Sequence, residues 1–500
     1  MLDIQMSCCN WVSGRRTLVI IAMSALPFMV SCTQSGESDA LPAKRIDTWL
    51  SNGVANGFSG AVLVHRKGRF VLNKGYGLAD KDKAIPNTAE TVFDIGSNTK
   101  QFTAAAILKL VQSGELRVED SLSTFFEDLP ADKKAITVHQ LLTHSAGFTE
   151  SIGSDFDAIS REQFLREVFT STLQFQPGSQ YAYSNVGYSI LARIIELVSG
   201  HEYEAFLHEH LFVPAGMEQT GYLLPVWKEK NLARGYARNV VDTGPMVTRY
   251  REDGGVTWHL KGNGGINSTQ EDMYRWLKAL KAQEILPAAM FEIFTTAHIE
   301  TRNGSSHYGY GWSITKSDRN TKRISHNGSN GRFFHSIIWL PEDDVMIIYA
   351  TNADSPPVER VAYAVERMIF DKDHRADPIE KNPYFLVFEF VNLNGPDQAS
   401  QLLSLIRTER KATIEPGVLN GIGFMLIEDE RLEWAVALFE LNTQLFPEDG
   451  NLWDSLGEGY LAAGRKADAV RSYERALALG PEEDCRWCEN SSERLKQLGK

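Results

Sequence analysis

His335-Ser-Ile-Ile-Trp-Leu340, Pro341-Glu-Asp-Asp344 and Val345-Met-Ile-Ile-Tyr349 read in succession as strand, turn and strand. Two short runs rich in Ile, Val and aromatic residues, separated by proline and acids, form a hairpin signal. A second hairpin stands near the other end, where Gly60-Ala-Val-Leu-Val-His65 and Phe70-Val-Leu72 flank the turn Arg66-Lys67-Gly68-Arg69. Between the two lie mostly helical patterns and long loops, and a helical stretch over 358–370 follows the later hairpin. A sheet with strands from both ends of a domain and helices inserted between them describes an α+β fold. Its antiparallel sheet is flanked by helices and accompanied by a mainly helical subdomain.

Of 500 residues, 43% are hydrophobic, 23% charged and 10% aromatic, which fits a soluble, core-forming protein and excludes a disordered chain or a polytopic membrane protein. Fifty-one Lys and Arg stand against 64 Asp and Glu, a net charge of −13, and no basic cluster is long enough to follow a phosphate backbone. This argues against nucleic acid as a partner.

Arg15-Arg16 precedes an apolar run from Leu18 to Val30, too short to span a bilayer comfortably, so residues 1–31 read as a signal peptide. The run ends at Met29-Val30-Ser31-Cys32, which resembles the bacterial lipobox and implies lipid modification of Cys32. The alternative is plain secretion with a chance cysteine. On the lipobox reading, residues 32–45 are a polar linker, and the protein faces the periplasm with a lipid anchor as its only membrane contact. Cys8 and Cys9 leave with the leader, so Cys485 and Cys488 remain, either paired or facing solvent. No His lies in the last hundred residues to complete a zinc site, and the helical surroundings offer no thioredoxin-like context. This favours a structural or incidental pair.

After residue 372 the sequence becomes charged and Pro-marked, then purely helical. Ala435, Phe439 and Pro447 recur 34 residues later as Ala469, Tyr473 and Pro481, while Gly423 and Gly457 hold matching places in the preceding helices. The period predicts an all-α, tetratricopeptide-like module over 414–481, built from helix pairs that each cover the next. An ordinary helical bundle is the alternative. Because two repeats fall short of the usual three, residues 373–413 read as a linker or degenerate repeat, with its first unit over 383–411. Residues 482–500 read as a C-terminal cap, centred on Ser491–Leu498.

Ser-x-x-Lys occurs twice, as Ser97-Asn-Thr-Lys100 and Ser313-Ile-Thr-Lys316, and chance alone supplies about one or two such matches in a chain of ordinary composition. Context separates them. Ser97 opens a continuous helical pattern through Val111, where residues three apart share a face, whereas Ser313 lies in an apparent strand. Only Ser97 can meet its lysine. A serine hydroxyl needs a base, and Lys100 serves if its pKa is lowered by burial or nearby positive charge. Tyr183-Ser184-Asn185 offers a phenol and an amide on a turn before a predicted 189–198 helix.

These pieces stand in an order. Ser97-x-x-Lys100, Ile136-Thr-Val-His-Gln-Leu-Leu-Thr-His-Ser-Ala-Gly147, Tyr183-Ser-Asn185, Gly262-Asn-Gly-Gly-Ile-Asn-Ser-Thr269 and His326-Asn-Gly328 together resemble the class C β-lactamase-related serine hydrolases. The resemblance covers residues 46–372 and implies a β-lactamase/transpeptidase-like fold. It also implies an acyl-serine intermediate, with Ser97 as nucleophile, Lys100 as proton acceptor and Tyr183 as general acid/base. Asn185, His326 and Gly328 would bind substrate, and the backbone N–H groups of Ser97 and Ser329 would form the oxyanion hole. No metal or organic cofactor is implied.

Penicillin-recognising members commonly carry Lys-Thr-Gly where this chain has His326-Asn327-Gly328. A largely neutral imidazole is a weak carboxylate anchor, which favours ester or amide cleavage, of esterase or D-aminopeptidase type, over β-lactam hydrolysis. A small molecule or peptide is the expected substrate, with a possible protein partner on the repeats. The alternative is a catalytically inert envelope scaffold or peptidoglycan sensor. Loops 148–175 and 225–260 are expected to shape the pocket, and His139 and His144 read as structural histidines. Gly262-x-Gly264-Gly265 reads as a turn, and Ser268-Thr-Gln-Glu271 as a capping box for a 273–280 helix.

Overall fold

The computed structural model describes residues 37–301, 304–353, 358, 360–410, 414–481 and 485–500. The expected signal peptide, Cys32 and the linker up to residue 36 lie outside the described residues.

Both predicted hairpins form, and they pair with each other. Within one antiparallel sheet the strands are β1 (Gly60–Arg66), β2 (Arg69–Tyr76), β3 (Ile299–Glu300), β4 (His307–Tyr308), β5 (Ser313–Lys316), β6 (Lys322–Ser329), β7 (Phe334–Leu340) and β8 (Val345–Thr351). Their spatial order is β2-β1-β8-β7-β6-β5-β4-β3. Gly60 faces Thr351 and Arg66 faces Val345, so the first strand of the domain and the last are hydrogen-bonded neighbours. Alternation sends Val62, Val64, Ile338 and Ile347 to one face and Leu63, Ile337, Trp339 and Ile348 to the other. Helices cover both faces. This explains why β8 is an apolar run, buried along its whole length, rather than an alternating one.

On the first face lie α1 (Glu37–Val54), through Ile46 and Leu50, and the 360–370 helix, through Val361, Val365 and Ile369. Thus residues 37–45, read from sequence as tether, are helical, in register with apolar positions four apart that grip the sheet. The second face is covered by α2 (Thr99–Ser113) and α4 (Gln270–Lys281), and α3 (Asn185–Ser199) packs against α2. Every residue of α2 from Thr99 to Leu108 is buried, which makes it the central helix of the domain. Trp276 of α4 meets Phe102 edge-on at 4.9 Å and donates its Nε1–H to Gln101 Oε1 at 2.7 Å. Gln101 in turn donates to Asn98 Oδ1 at 3.1 Å, beside Ser97.

Two helix starts differ from the sequence reading. α3 begins at Asn185 rather than 189, because the Ser184 hydroxyl accepts from Gly187 N–H at 3.2 Å and caps it. α4 is capped by Thr269, which accepts from Asp272 N–H at 3.1 Å, while Ser268 pairs with Phe93 in a short ladder. The capping serves the same end one residue later.

Counting the 360–370 helix as α5, the C-terminal part contains α6 (Pro383–Leu393), α7 (Ala399–Arg410), α8 (Pro416–Glu428), α9 (Leu432–Leu445), α10 (Gly450–Ala462), α11 (Lys466–Ala478) and α12 (Arg486–Gln497). Before them, residues 373–382 run along α1, where Asp377 and Ile379 accept hydrogen bonds from Trp49 Nε1 (2.9 Å) and Asn56 Nδ2 (2.7 Å). The 34-residue period has a physical counterpart. A Cβ on Gly423 would lie 2.5 Å from the Phe439 ring, and one on Gly457 would lie 2.4 Å from the Tyr473 ring. Each glycine lets an aromatic of the following helix seat directly on the backbone. Cys485 and Cys488 are joined by a disulfide at the start of α12. That helix is tied to α10 by Arg494 on Glu458 at 2.8 Å and Ser491 on Asp454 at 2.5 Å. The cap helix begins at Arg486, ahead of Ser491.

Trp276→Ala removes a fully buried ring and the partner of Gln101, and should lower the unfolding free energy of the sheet-bearing domain by about 3–5 kcal/mol. Urea titration followed by circular dichroism measures it.

Candidate active site

Gly96, at φ +51, turns the chain into a short 3-10 segment over Gly96–Asn98 that leads into α2. Asp94 fixes this turn by accepting the Gly96 N–H at 2.6 Å, and burial pushes its carboxyl up to about 7. One helical turn on, the fully buried Lys100 places Nζ 3.1 Å from Ser97 Oγ. Its other neighbours are Asn185 Oδ1 and the Asn263 carbonyl, each at 2.7 Å. Burial lowers the Lys100 pKa to about 7, against the pull of Asp155 and Glu150. A neutral amine has two N–H bonds and one lone pair. Two carbonyl oxygens that can only accept take the N–H bonds, leaving the lone pair to accept from Ser97 O–H. The geometry therefore lets Lys100 remove the serine proton.

The Tyr183 ring centre lies 4.7 Å from Lys100 Nζ. Desolvation raises its phenol well above the usual range, opposed by a hydrogen bond with Ser97, so the hydroxyl stays protonated near neutral pH. The turn that carries it is built on His144, itself at φ +56. The His144 carbonyl accepts Ala182 N–H at 2.9 Å and its Nδ1 accepts Ser184 N–H at 3.0 Å. Accepting at Nδ1 puts the ring proton on Nε2. Burial and the Lys100 charge depress its pKa far below the ordinary value, and its ring sits 4.3 Å from that of Tyr183. His144 is thus a buried support for Tyr183, while His139 pairs through Nδ1 with the Tyr310 hydroxyl at 2.7 Å.

The third motif lies on β6, with His326 and Gly328 on the same face. A Cβ on Gly328 would stand 2.4 Å from Ser97 N, and one on Gly96 would stand 3.0 Å from Ser329 N. Backbone meets backbone here, which brings the Ser97 and Ser329 amides together as a pair able to face one oxyanion. His326 Nδ1 lies 2.6 Å from the Asn327 carbonyl, so Nδ1 carries the proton and Nε2 accepts from the Tyr308 hydroxyl at 3.0 Å. Burial and Lys100 push the imidazole down to about 3. It is neutral, with both nitrogens engaged. Asn185 spends its carbonyl on Lys100, so its amide N–H2 is the end that can meet a substrate.

The structure therefore brings Ser97, Lys100, Tyr183, Asn185, His326, Gly328 and Ser329 to one place. A cavity of about 670 Å³ opens beside them, walled by Tyr181, Thr301, Ser305, Ser306 and Tyr308. Ser313, on strand β5 as expected, lines the same cavity, but Lys316 is not among its lining residues. Loops 148–175 and 225–260 do not wall this cavity but border the site: the Glu150 carbonyl accepts Asn185 N–H at 2.8 Å, and the loops pack on each other where Thr257 Oγ1 donates to the Asp157 carbonyl at 2.7 Å and accepts Ile159 N–H at 3.2 Å. Sequence reasoning missed Tyr308, on a strand of two residues, and the Asn263 carbonyl, although the glycine-flanked turn at 262–265 marked its position.

A buried lysine beside a serine, a phenol over both and paired amides across a strand are the parts that acyl transfer to a serine requires. The beta-lactamase family model matches residues 46–368, and the chain belongs to the beta-lactamase family of serine hydrolases. It is 34% identical over 258 residues to a putative penicillin-binding protein, PbpX, of Bacillus subtilis (strain 168), a match covering 52% of this chain and 62% of that relative. The penicillin-binding protein structure from Bacillus halodurans superposes with a TM-score of 0.56 at 25% identity, covering 65% of this chain and 99% of that one. The fold is shared with D-amino acid amidase from Ochrobactrum anthropi SV3, at TM-score 0.58, 22% identity and coverage of 67% and 100%.

Two measurements follow. Gly328→Ala should slow acylation of Ser97 by about 10²-fold, since the added methyl separates the paired amides; stopped-flow labelling reads it. Because the Lys100 amine must be neutral to take a proton, the acylation rate should rise with pH through about 7 and then level off. Asp94→Asn should retain that rise.

Proposed function

We propose that the catalytic domain is a serine hydrolase of the class C β-lactamase-like type, cleaving an ester or amide in the manner of an esterase or D-aminopeptidase, with weak or no β-lactamase activity. The observation that carries it is the Lys100 amine, whose two N–H bonds are held by Asn185 and Asn263 while its lone pair meets Ser97. Lys100 takes the Ser97 proton as Oγ bonds to the substrate carbonyl, and the oxyanion rests on the Ser97 and Ser329 amides. When the carbonyl re-forms, the bond to the leaving group breaks and Tyr183 gives that group its phenolic proton. The Lys100 ammonium returns a proton to Tyr183. Water then attacks the acyl-serine carbonyl and gives one proton to the neutral Lys100 amine; as the carbonyl re-forms, the bond to Ser97 Oγ breaks and Lys100 returns that proton to the departing serine.

His326 supports the substrate direction. Where a lysine would offer a cation to a substrate carboxylate, this imidazole is uncharged and has no N–H to spare. Asn185, His326, Gly328 and Ser329 would then frame an acyl group that needs no carboxylate. We read the helix pairs from α6 to α11 as tetratricopeptide-like repeats with α12 as their cap, on the strength of the repeated glycine-on-aromatic contact. The Arg15-Arg16 leader and Cys32 support export to the bacterial envelope and lipid anchoring, and no described helix is long and apolar enough to cross a membrane.

The test is mass spectrometry of the leaderless protein after exposure to a fluorophosphonate and, separately, to a penicillin. An adduct on Ser97 with the first, absent in Ser97→Ala, and neither a stable adduct nor turnover with the second, is the expected outcome. No adduct from either reagent on a folded protein would favour the inert scaffold.

A further inference from the structure

β6 ends at Ser329, and Asn330-Gly331-Arg332-Phe333 lead from it into β7. Asn330 Oδ1 accepts the Arg332 and Phe333 N–H groups at 3.1 and 2.9 Å, which ties the loop into a compact turn. Phe333 is buried, and its ring packs against Gly235, where a Cβ would come within 2.5 Å of it. Gly235 begins a small hairpin whose strands are Gly235–Ala237 and Val241–Gly244. The base of that hairpin is anchored to the end of β8, through Tyr236 N–H on the Asn352 carbonyl at 2.8 Å. Whatever fixes the hairpin therefore fixes the seat of Phe333, four residues from an oxyanion-hole amide.

The tip of the hairpin reaches the C-terminal helices. Arg238 and Asn239 both adopt left-handed backbone, at φ +53 and +66. The Arg238 guanidinium lies 4.5 Å over the Tyr384 ring of α6, and its carbonyl accepts from Asn382 Nδ2 at 3.3 Å. Asn382 also caps α6 through Oδ1, on Tyr384 N–H at 2.8 Å. Gly421 of α8 has no side chain where the Arg238 guanidinium passes, since a Cβ there would come within 2.3 Å of Nη1. Tyr384 joins the two helices by donating to the Gly417 carbonyl at 3.1 Å. Asn239 is buried beneath this contact, donating to the Gly57 carbonyl at 3.0 Å and accepting from Lys81 Nζ at 2.7 Å.

We propose that the helical array takes the catalytic domain's own 235–244 hairpin as its partner, and through Gly235 and Phe333 holds the Ser329 loop in place for acyl transfer. The effect on acyl transfer rests on the hydrolase reading above; the mechanical link does not. A helix pair with a glycine opposite an arginine and a tyrosine beneath it is a fitted seat for that tip, and the tip's other side is built into the domain.

Two substitutions in the full leaderless chain test this, Gly421→Leu, which fills the seat, and Arg238→Ala, at an exposed position that leaves folding intact. Hydrogen exchange should rise by about fivefold or more in peptides covering both 235–244 and 329–335, with β8 unchanged, and fluorophosphonate labelling of Ser97 should slow about threefold to tenfold. A rise confined to 237–241, with 329–335 and the labelling rate as in the unsubstituted protein, would overturn the proposal. If the unsubstituted protein takes no fluorophosphonate, the hydrolase reading fails and the exchange pattern still decides the link.

Discussion

A buried ammonium is expensive, and the catalytic domain is arranged around avoiding one. Lys100 has no exposed surface, and its neighbours are two amide-type oxygens and a hydroxyl rather than a carboxylate in contact. A carboxylate at that distance would have fixed the charge on the amine. Carbonyl oxygens satisfy N–H bonds without demanding a charge, so the amine can gain and lose a proton near neutrality. Asn185 at the first turn of α3 and Asn263 in a glycine-flanked turn are brought to Lys100 by separate parts of the helical subdomain. The packing of those segments thereby sets the protonation of the Lys100 amine.

The second constraint is steric. Gly96 and Gly328 pass so closely that neither tolerates a side chain, and the amides beside them are paired as a result. Their contact is made between the start of the central helix and a strand of the sheet, the two rigid layers of the domain. The pairing of the Ser97 and Ser329 amides is a property of how those layers stack. His326, one residue before Asn327, is held by Tyr308 and by backbone, so the strand presents an aromatic, uncharged edge to the cavity.

Much of this was legible in the sequence. The strand runs at 60–72 and 335–349 carry their own turns, and Ser97 with Lys100 is distinguished from Ser313 with Lys316 by helical context alone. The 34-residue repeat is visible because each glycine must face an aromatic. What escaped notice depends on neighbours that only folding supplies. The Asn263 contribution is a backbone carbonyl with no signature of its own. Tyr308 sits on a strand too short for periodicity, and the pocket wall at 301–306 has no hydrophobic pattern. His144 was readable as structural, but its role beneath Tyr183 depends on a left-handed turn that cannot be inferred from a lone histidine. The helix starts at Asn185 and Gln270 depended on which of several adjacent hydroxyls caps, a choice made by packing.

The pairing of β1 with β8 also bears on when the enzyme can exist. The central ladder joins strands from opposite ends of the domain, so it cannot close until the chain has been made as far as Thr351. The parts of the acyl-transfer centre are spread in the same way, from Ser97 through Asn185 and Asn263 to Ser329. In a chain not yet grown to Ser329, Lys100 follows Ser97 but lacks the burial that lowers its pKa, and the strand that pairs the Ser97 amide is missing. The site is thus assembled only when the last strands of the domain are in place.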